Sequence, residues 1–278
     1  MSRSATSLDM PGLAGLRVLV TGAAQGIGLG IAQHFAAVGA QVMLADINLA
    51  VATEAASKIR AVGGVAQAVA GNVSRTADVQ SMIDACVSAY GGLDVVVSNA
   101  GVVQVKPFDE LTLDDWGDLM DVNVKGTFLC MQLAARQMKS QPPLGPGRPR
   151  GKIIHMASIA GRYGGGPMAP FLAPYRASKA AVISLTHTGA HTLAPDITVN
   201  AVCPGLVATD MWKRMDRDMA RIENGQEGEA FARRVSAVPM GRAQTPDDVA
   251  GVVLFLASQA ADYMTGQALN VDGGLVLN

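Results

Sequence analysis

Aromatic side chains make up only 4% of this chain and charged ones 16%, with 22 Lys and Arg against 23 Asp and Glu. Phosphate binding needs clustered positive charge, and single strands need a row of stacking rings, so a nucleic-acid partner is not expected. Cysteine is scarce as well. Cys86, Cys130 and Cys203 lie far apart with no C-x-x-C pair, which indicates neither a disulfide framework nor a zinc site; they are expected as small buried hydrophobes in a reducing cytoplasm. No apolar run is long enough to span a bilayer, and residues 1–13 lack the apolar centre of a signal peptide, so neither a membrane nor an export role is expected. That opening segment is expected to be a disordered lead-in.

The whole chain is 49% hydrophobic and contains 31 glycines, a composition suited to tight helix-on-sheet packing in one large domain, residues 14–278. Short apolar runs alternate with helical patterns along its length. Strands are expected at Leu16 to Val20, Gln41 to Ala45, Val65 to Ala70, Asp94 to Ser98, Lys152 to Met156, Thr198 to Val202 and Ala268 to Val271. Between them lie helical patterns at Gly26 to Val38, Leu49 to Val62, Thr76 to Tyr90, Leu113 to Met138, Tyr175 to about His191, and after Thr245. Strict alternation with nearly continuous apolar strands predicts an α/β fold, a doubly wound parallel sheet of about seven strands, covered by helices on both faces. Ligands in such sheets sit beyond the carboxyl ends of the strands. Two stretches interrupt the series. Gln141 to Gly151 holds four prolines and three glycines and reads as an exposed loop. The region from 207 to 240, rich in Met, Arg, Asp and Glu, reads as a mostly helical lid.

Thr21-Gly22-Ala23-Ala24-Gln25-Gly26-Ile27-Gly28 follows the first strand and opens the first helix. Residues without Cβ let the backbone approach a pyrophosphate, and the helix beyond offers free N–H groups and the positive end of its dipole. Asp46, with Ile47 after it, closes the second strand, where a carboxylate can accept hydrogen bonds from an adenosine ribose and repel a 2′-phosphate. Since the turn offers Gln25 but no Lys or Arg, NAD is expected rather than NADP. Tyr175 and Lys179 stand four apart at the start of a helix, hence on one side of it. An isolated pair of this kind occurs in many helices in which the tyrosine packs and the lysine is solvated. A fixed ammonium beside a phenol would favour the phenolate and move its pKa below the usual value of about 10, towards acid/base work near neutrality. His187 and His191 also stand four apart, without an acidic partner; packing or subunit contact is expected of them, and no metal.

Taken in order, Thr21-Gly22-x-x-x-Gly26-Ile27-Gly28, Asn99-Ala100-Gly101, Asn123, Ser158, Tyr175-x-x-x-Lys179, Pro204-Gly205 and Val271-Asp272-Gly273-Gly274 resemble the short-chain dehydrogenase/reductase family over nearly the whole chain. The resemblance implies a catalytic set of Asn123, Ser158, Tyr175 and Lys179. It places Asn72 and Val73 beside the adenine and has Asn99, Ala100, Gly101, Pro204, Gly205, Val207 and Thr209 frame the cofactor together with Tyr175 and Lys179. It implies that Tyr175 exchanges the alcohol proton, Ser158 binds the substrate oxygen, Lys179 lowers the Tyr175 pKa and grips the ribose, and Asn123 anchors a water. A homotetramer is implied too, with the long helix and the Tyr175 helix at its interfaces. The sequence departs from the family pattern at Asn72, where Asp is usual, at Ser98, and in the 17-residue step from Ser158 to Tyr175. The stretch from Pro204 to Trp212 and Asp262 to Gln267 is similar to the branch of acetoin (diacetyl) reductases, butanediol dehydrogenases and sugar-alcohol dehydrogenases, with Met211, Trp212 and Met215 as one wall of the lid. The expected reaction is oxidation of a secondary alcohol in a small polyol or vicinal diol, and its reverse. Two alternatives stay open, an NADP-dependent 3-oxoacyl-thioester reductase and a non-catalytic NAD-binding regulator.

Overall fold

A computed structural model describes residues 10–277. Seven strands form one sheet: β1 (Arg17–Thr21), β2 (Gln41–Asp46), β3 (Val65–Ala70), β4 (Val95–Ser98), β5 (Gly151–Met156), β6 (Ile197–Pro204) and β7 (Ala268–Val271). Their order is β3-β2-β1-β4-β5-β6-β7, and every pairing is parallel. The central strands β4, β5 and β6 are buried along their full lengths, as expected when helices cover both faces. The strand order reverses between β1 and β4, so a crevice opens there beyond the carboxyl ends of the strands.

The helices are α1 (Gly26–Ala37), α2 (Leu49–Ala61), α3 (Thr76–Tyr90), α4 (Leu113–Met120), α5 (Gly126–Lys139), α6 (Ala173–Leu193), α7 (Asp210–Glu223), α8 (Glu229–Val235) and α9 (Pro246–Ala257). One core lies between the sheet and α1, α2 and α9, centred on Phe35, Ile31, Leu44 and Leu254. A second lies on the other face, where Met82, Ile83, Leu133 and Met138 of α3 and α5 meet Leu19, Val96 and Ile153. Local chemistry fixes the helix ends. Thr112 with Asp115, and Thr245 with Asp248, form reciprocal capping boxes at α4 and α9, and Gly91 ends α3 in the left-handed region at φ 81°.

Two expectations change. The single long helix from Leu113 to Met138 is α4 and α5 joined by a π turn, Asp121–Lys125, an insertion that hydrophobic periodicity does not reveal. Most of the expected lead-in falls outside the described residues, but its end is packed: Leu13 is buried in the first core, and the Pro11 carbonyl accepts the Gln259 N–H. The proline-rich stretch is a partly exposed loop, as expected, and its ends are clipped to the body. Arg148 pairs with Asp262 at 2.6 Å, Arg150 with Asp196 at 3.0 Å, and the buried Gln141 side chain bonds both the N–H and the C=O of Leu93. The three cysteines are unpaired and buried.

Candidate active site

The first βα turn is shaped by contacts that a side chain would destroy. Gly22 has φ 63°, and a Cβ on it would lie 2.8 Å from the Ala100 Cα; one on Gly28 would lie 2.2 Å from the Gly22 carbonyl oxygen. Asn99 locks this arrangement from β4, donating from Nδ2 to the carbonyls of Thr21 and Gly22 at 2.9 and 3.1 Å. In return the Thr21 hydroxyl accepts the N–H groups of Asn99 and Ala100, both at 3.1 Å. Asn99 and Thr21 therefore act through the turn, which stays open as a backbone cradle. The N-terminus of α1 behind it carries no side-chain cap, leaving its first N–H groups facing the crevice for an anion. Asp46 stands at the far end, accepting the Ala24 N–H at 3.1 Å through one oxygen and the Asn48 N–H at 3.0 Å through the other.

A cleft of about 490 Å³ runs from Asp46 over the glycine turn to Tyr175. Gly22, Gln25, Gly26, Ile27, Gly28, Asp46, Ile47, Asn72, Val73, Asn99, Ala100, Gly101, Ser158, Tyr175, Lys179, Pro204, Gly205, Val207 and Thr209 all line it. Asn123 does not. It is fully buried beneath the floor, in the π turn, where Oδ1 accepts the Val102 N–H at 2.8 Å and Nδ2 donates to the Val102 carbonyl and to the Ser178 hydroxyl at 2.9 and 3.0 Å. Ser178 in turn donates to the Tyr175 carbonyl at 2.7 Å. The amide thus braces the loop after β4 against the first turn of α6. Its donors are used up, and its backbone carbonyl accepts the Thr127 hydroxyl at 2.7 Å.

Around the head of α6 the geometry is close. A Cβ on Gly101 would sit 3.3 Å from Asn123 Oδ1 and 3.4 Å from Lys179 Nζ, and one on Gly161 would meet the α6 backbone at Lys179 and Ala180 at 2.5 to 2.6 Å. Gly161 thereby lets the turn carrying Ser158 lie directly on the helix carrying Tyr175. Lys179 Nζ donates to the Met156 carbonyl at 2.8 Å and lies 5.7 Å from the centre of the Tyr175 ring. Burial dominates both titrations. It holds the Lys179 ammonium down at about 8 and raises the Tyr175 phenol above its ordinary value, with the Ser158 side chain opposing that rise. The expected fall of the Tyr175 pKa is therefore reversed: the same low-dielectric wall that brings lysine and phenol together penalises the charged form of each.

His155, on β5 beneath α6, was not anticipated. Thr186 gives its hydroxyl proton to the Val182 carbonyl at 2.8 Å, so Nδ1–H of His155 donates to Thr186 Oγ1 at 3.0 Å, and Nε2 has no partner among the described residues. Burial, reinforced by Lys179, pushes its pKa down to about 3. The unfolded chain takes up a proton near 6.5 that the folded chain refuses, so stability is intact above that pH and falls as pH drops from 6.5 towards 3. The expected slope is about 1.4 kcal/mol per pH unit from this residue. Urea unfolding at pH 7 and 5 should show it, and His155→Gln should flatten the difference.

α7 borders the outer end of the cleft, and α8 packs against it. Asp216 ties them together by accepting the N–H groups of Gly228 and Phe231, and the Trp212 and Phe231 rings pack 5.3 Å apart. Met215 and Met219 join Val105, Met168 and Leu172 in a small separate core against Tyr175. Met211, Trp212 and Met215 line the cleft as expected, but so do Val102, Val103, Val105, Arg214 and Asp218, which no local pattern marks.

The family described as enoyl-(acyl carrier protein) reductase matches residues 22–276. Galactitol 2-dehydrogenase of Agrobacterium fabrum is 41% identical over 92% of this chain and 95% of its own length. Diacetyl reductase [(S)-acetoin forming] of Staphylococcus epidermidis is 40% identical over 93% of this chain and 97% of its own. The crystal structure of a short-chain type dehydrogenase/reductase from Mycobacterium marinum superposes with a TM-score of 0.83 at 35% identity, covering 96% of this chain and 97% of that one. The chain belongs to the short-chain dehydrogenase/reductase family. It is an oxidoreductase of the alcohol dehydrogenase/reductase kind, and the dehydrogenases of this family use nicotinamide cofactors. The residues fit such a group: the open glycine cradle and the uncapped α1 terminus would hold its phosphates, and the Asp46 carboxylate in the same cleft would accept hydrogen bonds from a ribose. Among the described residues, no helix is long and apolar enough to cross a membrane.

Proposed function

We propose that this dehydrogenase uses NAD to oxidise one secondary alcohol of a small vicinal diol or polyol and reduces the corresponding hydroxyketone. The observation that carries the reading is the placement of Ser158, Tyr175 and Lys179 at one end of a single cleft whose other end carries Asp46. A bound nicotinamide supplies the hydride acceptor or donor. Tyr175 takes the proton from the alcohol in oxidation and returns it in reduction, while Ser158 hydrogen-bonds the substrate oxygen and fixes its distance from the phenol. Lys179, held by the Met156 carbonyl through one of its three N–H donors, binds a ribose hydroxyl through another. Asn123 keeps the Tyr175 turn in register with the β4 loop. Beside Tyr175 the wall is Val103, Val105, Trp212 and Met215, which excludes water and suits a short alkyl end; 2,3-butanediol and acetoin are expected to outperform galactitol and sorbitol. The names of the two relatives at about 40% identity support substrates of this range. Initial rates across these compounds with NAD and NADP test the reading. Inactivity on all of them with both cofactors would sink it.

The Asp46 carboxylate favours NAD by accepting ribose hydroxyl protons and repelling a 2′-phosphate. A preference of at least about 100-fold in kcat/KM is expected, and Asp46→Ser should reduce the ratio by about tenfold or more. Equal use of both cofactors by the unmodified enzyme would count against this assignment. A homotetramer is supported by the apolar side chains left on the α4–α5 side, where Leu113, Trp116 and Phe128 are exposed. Sedimentation showing a monomer at micromolar concentration would remove it.

A further inference from the structure

We propose that Arg214, on the lid, is the cation that completes the oxyanion site over the glycine turn and holds the cofactor's diphosphate when the lid is down. The turn brings only backbone N–H groups to this site. From Thr21 to Gly28 there is no Lys or Arg, and a helix terminus supplies about half a unit charge against the two on a diphosphate. The foot of the lid stands beside the turn: a Cβ on Gly26, were there one, would lie 3.6 Å from the Thr209 methyl group. Arg214 stands just over one helical turn into α7 and lines the same cleft.

Its charge is available. Asp210 and Asp218, four residues before and after it on one side of the helix, make their direct ion pairs with Lys213 at 2.8 Å and Arg221 at 3.5 Å, and Arg214 adds only a weaker, longer-range attraction to Asp210. Arg214 appears in no ion pair or hydrogen bond among the described residues. Both carboxylates line the cleft as well, so a neutral substrate gives an arginine between them no function, whereas a multivalent anion held from below by the turn gives it one. Lys179 does not fill this role, because its ammonium is buried and bonded to the Met156 carbonyl. A guanidinium also suits a diphosphate, since its fork spans two oxygens at once. The oxyanion has a second possible source, a carboxylate on the substrate. The apolar wall beside Tyr175 favours the diphosphate.

This inference rests on dinucleotide binding and not on the alcohol oxidised. Titration calorimetry of the full chain with ADP-ribose and with adenosine, in low and in moderate salt, tests it without turnover. Arg214→Gln is expected to weaken ADP-ribose by about tenfold in low salt and less in moderate salt, leaving adenosine unchanged, with Arg214→Lys between Gln and the parent. Arg217→Gln, an exposed arginine of the same helix outside the cleft, should match the parent. Equal ADP-ribose affinity in Arg214→Gln and the parent overturns the inference. So does a defect confined to the KM of a 2-hydroxy acid, which assigns Arg214 to a substrate anion. If the parent itself fails to bind ADP-ribose, the dinucleotide reading falls with it, and the two failures are told apart.

Discussion

Tyr175→Phe is expected to lower turnover by about 10²- to 10⁴-fold, the range that a positioned acid/base contributes, with ADP-ribose affinity unchanged. The phenylalanine ring keeps the packing against Met215, Met168 and Leu172 and removes one oxygen. What is lost is a proton-exchanging group beside Ser158, because among the described residues no other acid or base of suitable reach lines that end of the cleft. Lys179 is committed to the Met156 carbonyl, and Asp218 belongs to α7. The direction of the pKa shift adds a second expectation. With burial raising the phenol above its ordinary value, Tyr175 holds its proton more tightly, which suits donation in reduction and calls for deprotonation before oxidation. Oxidation rates should therefore climb through the alkaline range while reduction does not, and Tyr175→Phe should abolish the alkaline climb as well as the rate. A variant retaining a tenth or more of the parent turnover would remove Tyr175 from the reaction.

The reversal at Tyr175 illustrates where sequence reasoning ends. A spacing of four correctly put Tyr175 and Lys179 on one side of α6, because helical geometry is local. Whether the pair sits in water or in a dry wall depends on Val103, Val105 and the lid, which are distant in sequence, and this decides the sign of the shift. The strand-turn-helix at Thr21 to Gly28 was legible for the same local reason, and so was each strand of the sheet. Asn123 shows the contrast most clearly. Nothing adjacent to it announces a π turn, and its partner Ser178 is 55 residues away, so its use as a brace between β4 and α6 emerges only once the sheet has assembled. Gly161 is similar, since its lack of a Cβ matters only because α6 passes over it. Nothing local marks Arg214 and Asp218, which reach the cleft only because α7 packs beside it.

Gly28→Ala is expected to abolish dinucleotide binding in practice, lowering ADP-ribose affinity by about 100-fold, and to cost about 1–3 kcal/mol of stability. Its backbone is ordinary helix, so the cost does not come from a forbidden φ. It comes from collision: the new methyl would lie 2.2 Å from the Gly22 carbonyl oxygen and 2.5 Å from Asn99 Nδ2. Neither neighbour has room to yield. Gly22 lies tight against the Ala100 Cα, and the Asn99 amide is what fastens the Thr21 and Gly22 carbonyls to β4. Relief must therefore either push the turn into the space meant for phosphates or break the Asn99 lock. Gly26→Ala makes the informative comparison. Gly26 has φ 58°, and its nearest neighbour is 3.6 Å from the missing Cβ, so alanine there incurs left-handed backbone strain of about 1–2 kcal/mol without a collision. Stability should fall comparably in the two variants, while ADP-ribose affinity falls much further in Gly28→Ala. Equal affinities in the pair, measured by calorimetry beside urea unfolding, would mean that the turn contributes rigidity alone and that the diphosphate is held by the lid.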